Sequence, residues 1–287
     1  MKTRTVEKII RSALKEDIGK LDITTAFSIP ASSKGEAVIF ARQSGILCGV
    51  EVAAKVFEFL PGEIRFKPLK RDGSSFRKEE KIALVRGNMR NILSGERVCL
   101  NFLSLLSGIS TFTAKFVKEA AGKKVKIMDT RKTTPNLRAL EKYAVRVGGG
   151  CNHRSSLSDG IIIKDNHLKA GRYIVDGEVN KKELIKLISN LKQKFRHAVV
   201  VEVENLDEFR SVIQCSPKVI MLDNFSLSNL KKAVGLRNRH YPEIKLEASG
   251  GIKLSNIKSV CATGIDSVSL GALTHSPSAV DFSLEIL

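Results

Sequence analysis

Two chemically distinct sets of residues close the short apolar runs in the second half of the chain. The first is cationic. Arg131 and Lys132 follow the run 125–128, His153 and Arg154 follow three glycines, and Lys164 follows 161–163, with Arg138 and Arg146 near in sequence. The second is acidic: Glu202 closes 199–201 and Asp223 closes 219–222, with Asp129, Asp165 and Glu204 as neighbours. Cations gathered at one end of a fold repel one another unless they share a multiply anionic ligand. Arginine in particular matches carboxylate and phosphate geometry bidentately. Taken singly, each of these cations reads as a solvated surface residue; their recurrence at strand ends argues for a site. The two acids are open to two readings: they hold Mg²⁺ or accept hydrogen bonds from sugar hydroxyls, or they form salt bridges to neighbouring Lys or Arg.

Glycines make a third set. Ser249-Gly250-Gly251 and Gly271-Ala272 end the last two runs. Without a Cβ, the backbone N–H groups can approach a phosphate closely, although a tight turn would use the same residues. The run Gly148-Gly149-Gly150 before His153 fits a lid or a ligand-facing loop. No Walker A pattern, no GxSxG, no HExxH and no Cys-His pair for covalent chemistry occurs.

These residues need strands to position them. The apolar runs 125–128, 161–163, 199–201, 219–222, 244–248 and 268–270 alternate with helical patterns such as 182–194, 207–215, 228–237 and 256–263. Short apolar strands between helices predict a buried parallel sheet. Because no GxGxxG opens the first unit, a barrel fits better than an open sheet, with its site at the strand carboxyl ends and phosphate at the last two loops. Upstream, helical spacing over 6–15 and 50–60 and strand patterns at 34–40, 63–68 and 81–87 predict a smaller α/β domain. The apolar periodicity over 95–116 predicts a long helix that breaks near Ser107-Gly108. The expected boundaries are 1–110 for the first domain and 111–275 for the barrel, with the tail 275–287 packing back on the first domain.

Composition excludes several classes. The 287 residues are 43% hydrophobic and 27% charged, and no apolar run is expected to reach the roughly 18 residues of a membrane span. Integral membrane, disordered and fibrous proteins are set aside. Residues 1–8 lack the apolar stretch of a secretory signal. Five scattered cysteines without zinc spacing read as buried, reduced thiols of a cytoplasmic protein. The net charge of +18 is spread along the chain, there is no Trp, and there are only 3 Tyr. That favours attraction of small anions over a nucleic-acid partner.

The ordered motifs resemble one family. Asp129-Thr130-Arg131-Lys132-Thr133-Thr134-Pro135, Leu137-Arg138, Glu141-Lys142-Tyr143-Ala144-Val145, the three glycines and His153-Arg154 are similar to quinolinate phosphoribosyltransferase (decarboxylating). So are Lys164-Asp165-Asn166-His167, Glu202-Val203-Glu204, Leu222-Asp223-Asn224, Glu247-Ala248-Ser249-Gly250-Gly251 and Gly271-Ala272-Leu273-Thr274-His275-Ser276. Upstream, Ser94-Gly95-Glu96-Arg97 and the segment 101–109 match as well. Asn136 stands where the family usually has Gly; Asn tolerates the left-handed backbone best among other residues.

The resemblance implies an N-terminal α/β sandwich-like domain and an open, irregular α/β barrel of parallel strands. It implies conversion of quinolinate and phosphoribosyl pyrophosphate to nicotinate mononucleotide, pyrophosphate and CO₂ in NAD biosynthesis, with Mg²⁺ and no organic cofactor. It implies that Arg131, His153, Arg154 and Lys164 bind quinolinate, with Arg97 entering from a partner subunit of a homodimer or hexamer. Lys132 would also reach the donor phosphates. Glu202 and Asp223 would hold the ribose hydroxyls, directly or through Mg²⁺, and Ser249, Gly250 and Gly271 the phosphate. Thr130 and Gly251 complete the implied substrate set, and Lys132, Glu202 and Asp223 its catalytic part. The nearest alternative is a barrel phosphoribosyltransferase acting on another anionic ring, such as nicotinate. A relative attached to molybdenum transport is disfavoured by the complete set of substrate residues.

Overall fold

Continuous apolar runs at 37–41 and 82–85 make two long strands, and these form the centre of an antiparallel sheet. The computed structural model describes residues 3–287. Strands β1 (Lys34–Ala41), β2 (Arg65–Pro68) and β3 (Lys81–Asn88) are joined by β10 (Phe282–Ile286) in the order β10-β1-β3-β2. The helices Thr3–Ile18 and Val50–Glu58 pack on each other, and the second also packs on β2. Its C-terminal end lies just before Pro61-Gly62, as the stop signal predicts.

The helix Met89–Glu119 is continuous, so the expected break at Ser107-Gly108 does not occur. Ser107 and, one turn on, Ser110 donate their hydroxyls to backbone carbonyls, of Cys48 at 3.2 Å and of Ile46 at 2.7 Å. Gly108 permits close approach instead, since a Cβ there would lie 2.4 Å from the Ser278 carbonyl oxygen. This helix also departs from the expectation that no segment reaches membrane-span length. It is long and apolar enough by composition, yet Val98, Leu103, Leu106 and Ile109 are buried within the fold.

A second sheet holds six parallel strands: β4 (Lys126–Met128), β5 (Ile161–Ile163), β6 (Val199–Val203), β7 (Val219–Asp223), β8 (Lys245–Ser249) and β9 (Ser267–Ser269). Their spatial order is β4-β9-β8-β7-β6-β5, with the first and last strands in the chain adjacent. That cyclic order defines a barrel. It is open between β4 and β5, where Cys151 alone bridges to Met128. The helices Lys181–Lys194 and Leu206–Val212 pack against β6.

The chain forms two compact units that do not follow chain order. One comprises residues up to Ala114 with Lys132–Gly150 and Ala272–Leu287; the other comprises Lys115–Arg131 and Cys151–Gly271. The segment Lys132–Gly150, expected inside 111–275, thus groups with the first unit. The three glycines show why. Added Cβ atoms at Gly148 and Gly150 would meet Ser110 O at 2.4 Å and Val145 Cγ1 at 2.8 Å, so these glycines serve tight packing rather than a lid.

Candidate active site

Parallel registration aligns the six strands residue by residue, and the alignment separates two chemistries. Glu202, Met221, Glu247 and Ser267 stand side by side across β6, β7, β8 and β9. Because side chains alternate along a strand, Asp223, Ser249 and Ser269 share that face one level higher. Lys164 follows β5 in phase with Ile162, whose partner is Val200, which sets Lys164 beside Glu202. The opposite face carries Ile163, Val201, Ile220, Leu246, Ala248 and Val268, all buried. The candidate site is the polar face.

Its pairings are specific. Lys164 Nζ lies 2.6 Å from Glu202 Oε2, and Glu202 is 8% exposed. This carboxylate therefore has a cationic neighbour on the same polar face. Asp223 Oδ2 accepts a hydrogen bond from Asn224 Nδ2 at 2.9 Å. Asn224 adopts φ 55°, and its Oδ1 would lie 2.2 Å from a Cβ on Gly250. Gly250 and Gly251 are themselves left-handed, at φ 79° and 62°, so only glycine fits the turn without strain. A cavity of about 320 Å³ opens there, lined by Asn224, Ser226, Ser249, Gly250 and Gly251. Gly271 follows β9, one strand away from β8.

The cationic loop is stitched to the barrel edge. Asp129 is fully buried and accepts Asn152 Nδ2 at 2.6 Å and the His153 N–H at 2.8 Å. Arg154 donates to Gly160 O at 2.8 Å. Burial, and after it the charge of Arg131, hold the Arg154 guanidinium below its usual pKa. Arg154 is thus half-buried with a second cation nearby at the barrel edge. Thr130 and Arg131 directly follow Asp129 at the end of β4.

Other predicted residues fall elsewhere. Lys132 and the helix Arg138–Val147, which carries Arg138 and Arg146, lie in the first unit. The Lys132 carbonyl accepts the Thr274 hydroxyl at 2.6 Å, and Lys132 lines a cavity of about 560 Å³ with Thr133, Thr134, Thr274 and His275. Arg97 is exposed on the long helix of that unit. Asn136 is left-handed at φ 67°, the conformation its type tolerates. Cys151 is half-buried, whereas the other four cysteines are buried.

Sequence reasoning missed Glu247. The signal was present in the alternation Lys245-Leu246-Glu247-Ala248-Ser249, which places a carboxylate on the face of Ser249; the segment reads as an apolar run only if its period is ignored.

An open parallel barrel whose polar strand face meets clustered arginines and glycine-rich strand-end loops belongs to the barrel class of anion-binding transferases. The chain matches the family descriptions "Quinolinate phosphoribosyl transferase, N-terminal domain" over residues 22–107 and "C-terminal domain" over residues 109–285. It is 38% identical to the nicotinate-nucleotide pyrophosphorylase [carboxylating] of Mycobacterium leprae over 96% of this chain and 95% of that one. A probable enzyme of the same name from Synechocystis sp. is 36% identical, over 98% of this chain and 92% of that one. The solved structure of the nicotinate-nucleotide pyrophosphorylase from Francisella tularensis superposes with a TM-score of 0.89 at 35% identity, covering 100% of this chain and 98% of that one. The chain belongs to the quinolinate phosphoribosyltransferase family.

Proposed function

We propose that the protein transfers phosphoribosyl from phosphoribosyl pyrophosphate to the ring nitrogen of quinolinate and releases the 2-carboxylate as CO₂. The products are nicotinate mononucleotide and pyrophosphate, in a step of NAD biosynthesis. The observation that carries this reading is the gathering of His153 and Arg154 at the β4 edge, next to Arg131 and within reach of the polar strand face, an arrangement suited to a ligand with more than one negative charge. His153 and Lys164 add to the dicarboxylate site. Glu202 and Asp223 face the ribose, Ser249, Gly250, Gly251 and Gly271 its phosphate, and Lys132 the donor's pyrophosphate.

In the first step the N–C1′ bond forms as the C1′–O bond to pyrophosphate breaks. Positive charge builds on the ribosyl group, and the carboxylates of Glu202 and Asp223 stabilise it electrostatically. The ring nitrogen is then a cation. In the second step the C2–carboxylate bond breaks, its electron pair stays on C2 beside that nitrogen, and a proton from solvent or the site completes the product. No enzymic nucleophile is required.

Among the described residues no three His, Cys, Asp or Glu side chains converge as a metal cage. Two carboxylates suit a Mg²⁺ that arrives on the donor and keeps its waters. When bound, the ion would neutralise the departing pyrophosphate, and Glu202 and Asp223 would hold it.

The decisive assay supplies the phosphoribosyl donor with quinolinate or with nicotinate. Release of CO₂ and formation of nicotinate mononucleotide from quinolinate support the proposal; turnover of nicotinate alone would replace it.

We further propose a cytoplasmic homodimer or hexamer in which Arg97 completes a neighbour's site. The exposure of Arg97 supports this, and the scattered, unpaired thiols fit the compartment. Arg97→Ala and Lys164→Ala should each be nearly inactive. After subunit exchange, activity should recover to about a quarter of wild type for a two-site dimer. No recovery after demonstrated exchange would remove Arg97 from the neighbour's site.

A further inference from the structure

Glu247 is a buried carboxylate to which the proposed reaction gives no task. It sits in the middle of β8 and is 3% exposed. Three of its neighbours offer hydrogens. Ser269 donates its hydroxyl to Glu247 Oε1, Ser267 Oγ lies 3.4 Å from Oε2, and His153 Nε2 lies 3.5 Å from Oε1. The other ring nitrogen of His153, Nδ1, accepts the Arg154 N–H at 2.8 Å. A nitrogen that accepts in this way carries no proton, so the ring proton of the neutral imidazole resides on Nε2 and points toward Glu247.

Topology gives this contact its reach. The loop bearing His153 is anchored to the β4 edge through Asp129, whereas Glu247 lies on β8, with β9 between them. The imidazole thus spans from the barrel edge to a strand two positions away. One end of the ring is fixed by the backbone of Arg154 and the other faces a carboxylate. An acceptor-only group buried among three donors fixes the tautomer of the one donor that could change it.

We propose that Glu247 is the positioning residue of the quinolinate site: it holds His153 in the Nε2–H tautomer, and through the Nδ1 bond it sets the backbone of Arg154. The proposal rests on the reading of His153 and Arg154 as quinolinate ligands. A double-mutant cycle on the full chain tests it, with Michaelis constants measured for both substrates. Glu247→Gln should raise the quinolinate constant roughly tenfold, the loss expected of one charged hydrogen bond, with little change for the phosphoribosyl donor. In the His153→Ala background the same substitution should add less than about twofold, because coupled residues are not additive. An equal factor in both backgrounds, or equal rises for both substrates, would overturn the proposal. His153→Ala with an unchanged quinolinate constant would remove the underlying reading as well. If His153→Ala raises the constant and Glu247→Gln does not, only the role of Glu247 falls. Should Glu247→Gln fail to fold, nitrogen NMR of the wild-type imidazole at mildly alkaline pH decides: a proton on Nε2 supports the proposal, and one on Nδ1 overturns it.

Discussion

The two faces of the barrel sheet are built from the same strands, offset by one residue, and they have opposite tasks. Val201, Leu246 and Val268 form a buried apolar layer, while Glu202, Glu247 and Ser267, adjacent to them in the chain, hold the ionic and hydroxyl groups. The antiparallel sheet of the first unit differs. Its charged positions pair at the surface, as in Arg86 with Glu36 at 2.5 Å, where Arg86 is exposed. Burial of both faces of a parallel sheet forces its polar residues to find partners or ligands. A carboxylate in that sheet is therefore better evidence of a site than one in the antiparallel sheet.

Substitutions on the two faces should separate stability from recognition. On the apolar face, Leu246→Ala should cost about 2–5 kcal/mol of stability, read as a fall in the denaturant midpoint, with Michaelis constants unchanged for the molecules that remain folded. On the ligand side, Arg154→Ala should cost ~2–5 kcal/mol in quinolinate recognition and leave the midpoint nearly untouched. An unchanged quinolinate constant with normal turnover would remove Arg154 from the site. Asp223→Asn should weaken the donor by about 1.5–3 kcal/mol and quinolinate far less; equal weakening of both would make Asp223 a structural residue. Ser267→Ala, which deletes only the long 3.4 Å bond to Glu247, should cost about 0.5–1 kcal/mol of stability. A larger loss of activity than of stability there would extend the site one level deeper into the barrel.

Much of this arrangement is legible in the chain. The six barrel strands stand out because their outward residues are Val, Ile and Leu, and the cations stand out because they cluster where those runs stop. Glu247 is lost because a strand with one buried charge still looks apolar by composition. Gly108 and Gly148 mislead for a common reason: a glycine that removes a Cβ from a crowded contact has the same letter as one that frees a loop. The assignment of Lys132–Gly150 to the first unit was not legible, since only the packing partners of those glycines, Ser110 and Thr113, reveal it. The pairing of Lys164 with Glu202 depends on register, which composition does not encode.

The strand β10 pairs along β1 from Ala37↔Ile286 to Ala41↔Phe282. A ribosome releases residues 34–41 long before it makes 282–286, so β1 must wait for this neighbour until the whole barrel has been made. All barrel residues, ending at Gly271, are made before that. The order of manufacture thus inverts the order of the sequence: the unit that begins first is the last that can be completed, and until then β1 presents an unpaired edge to the crowded space around the nascent chain.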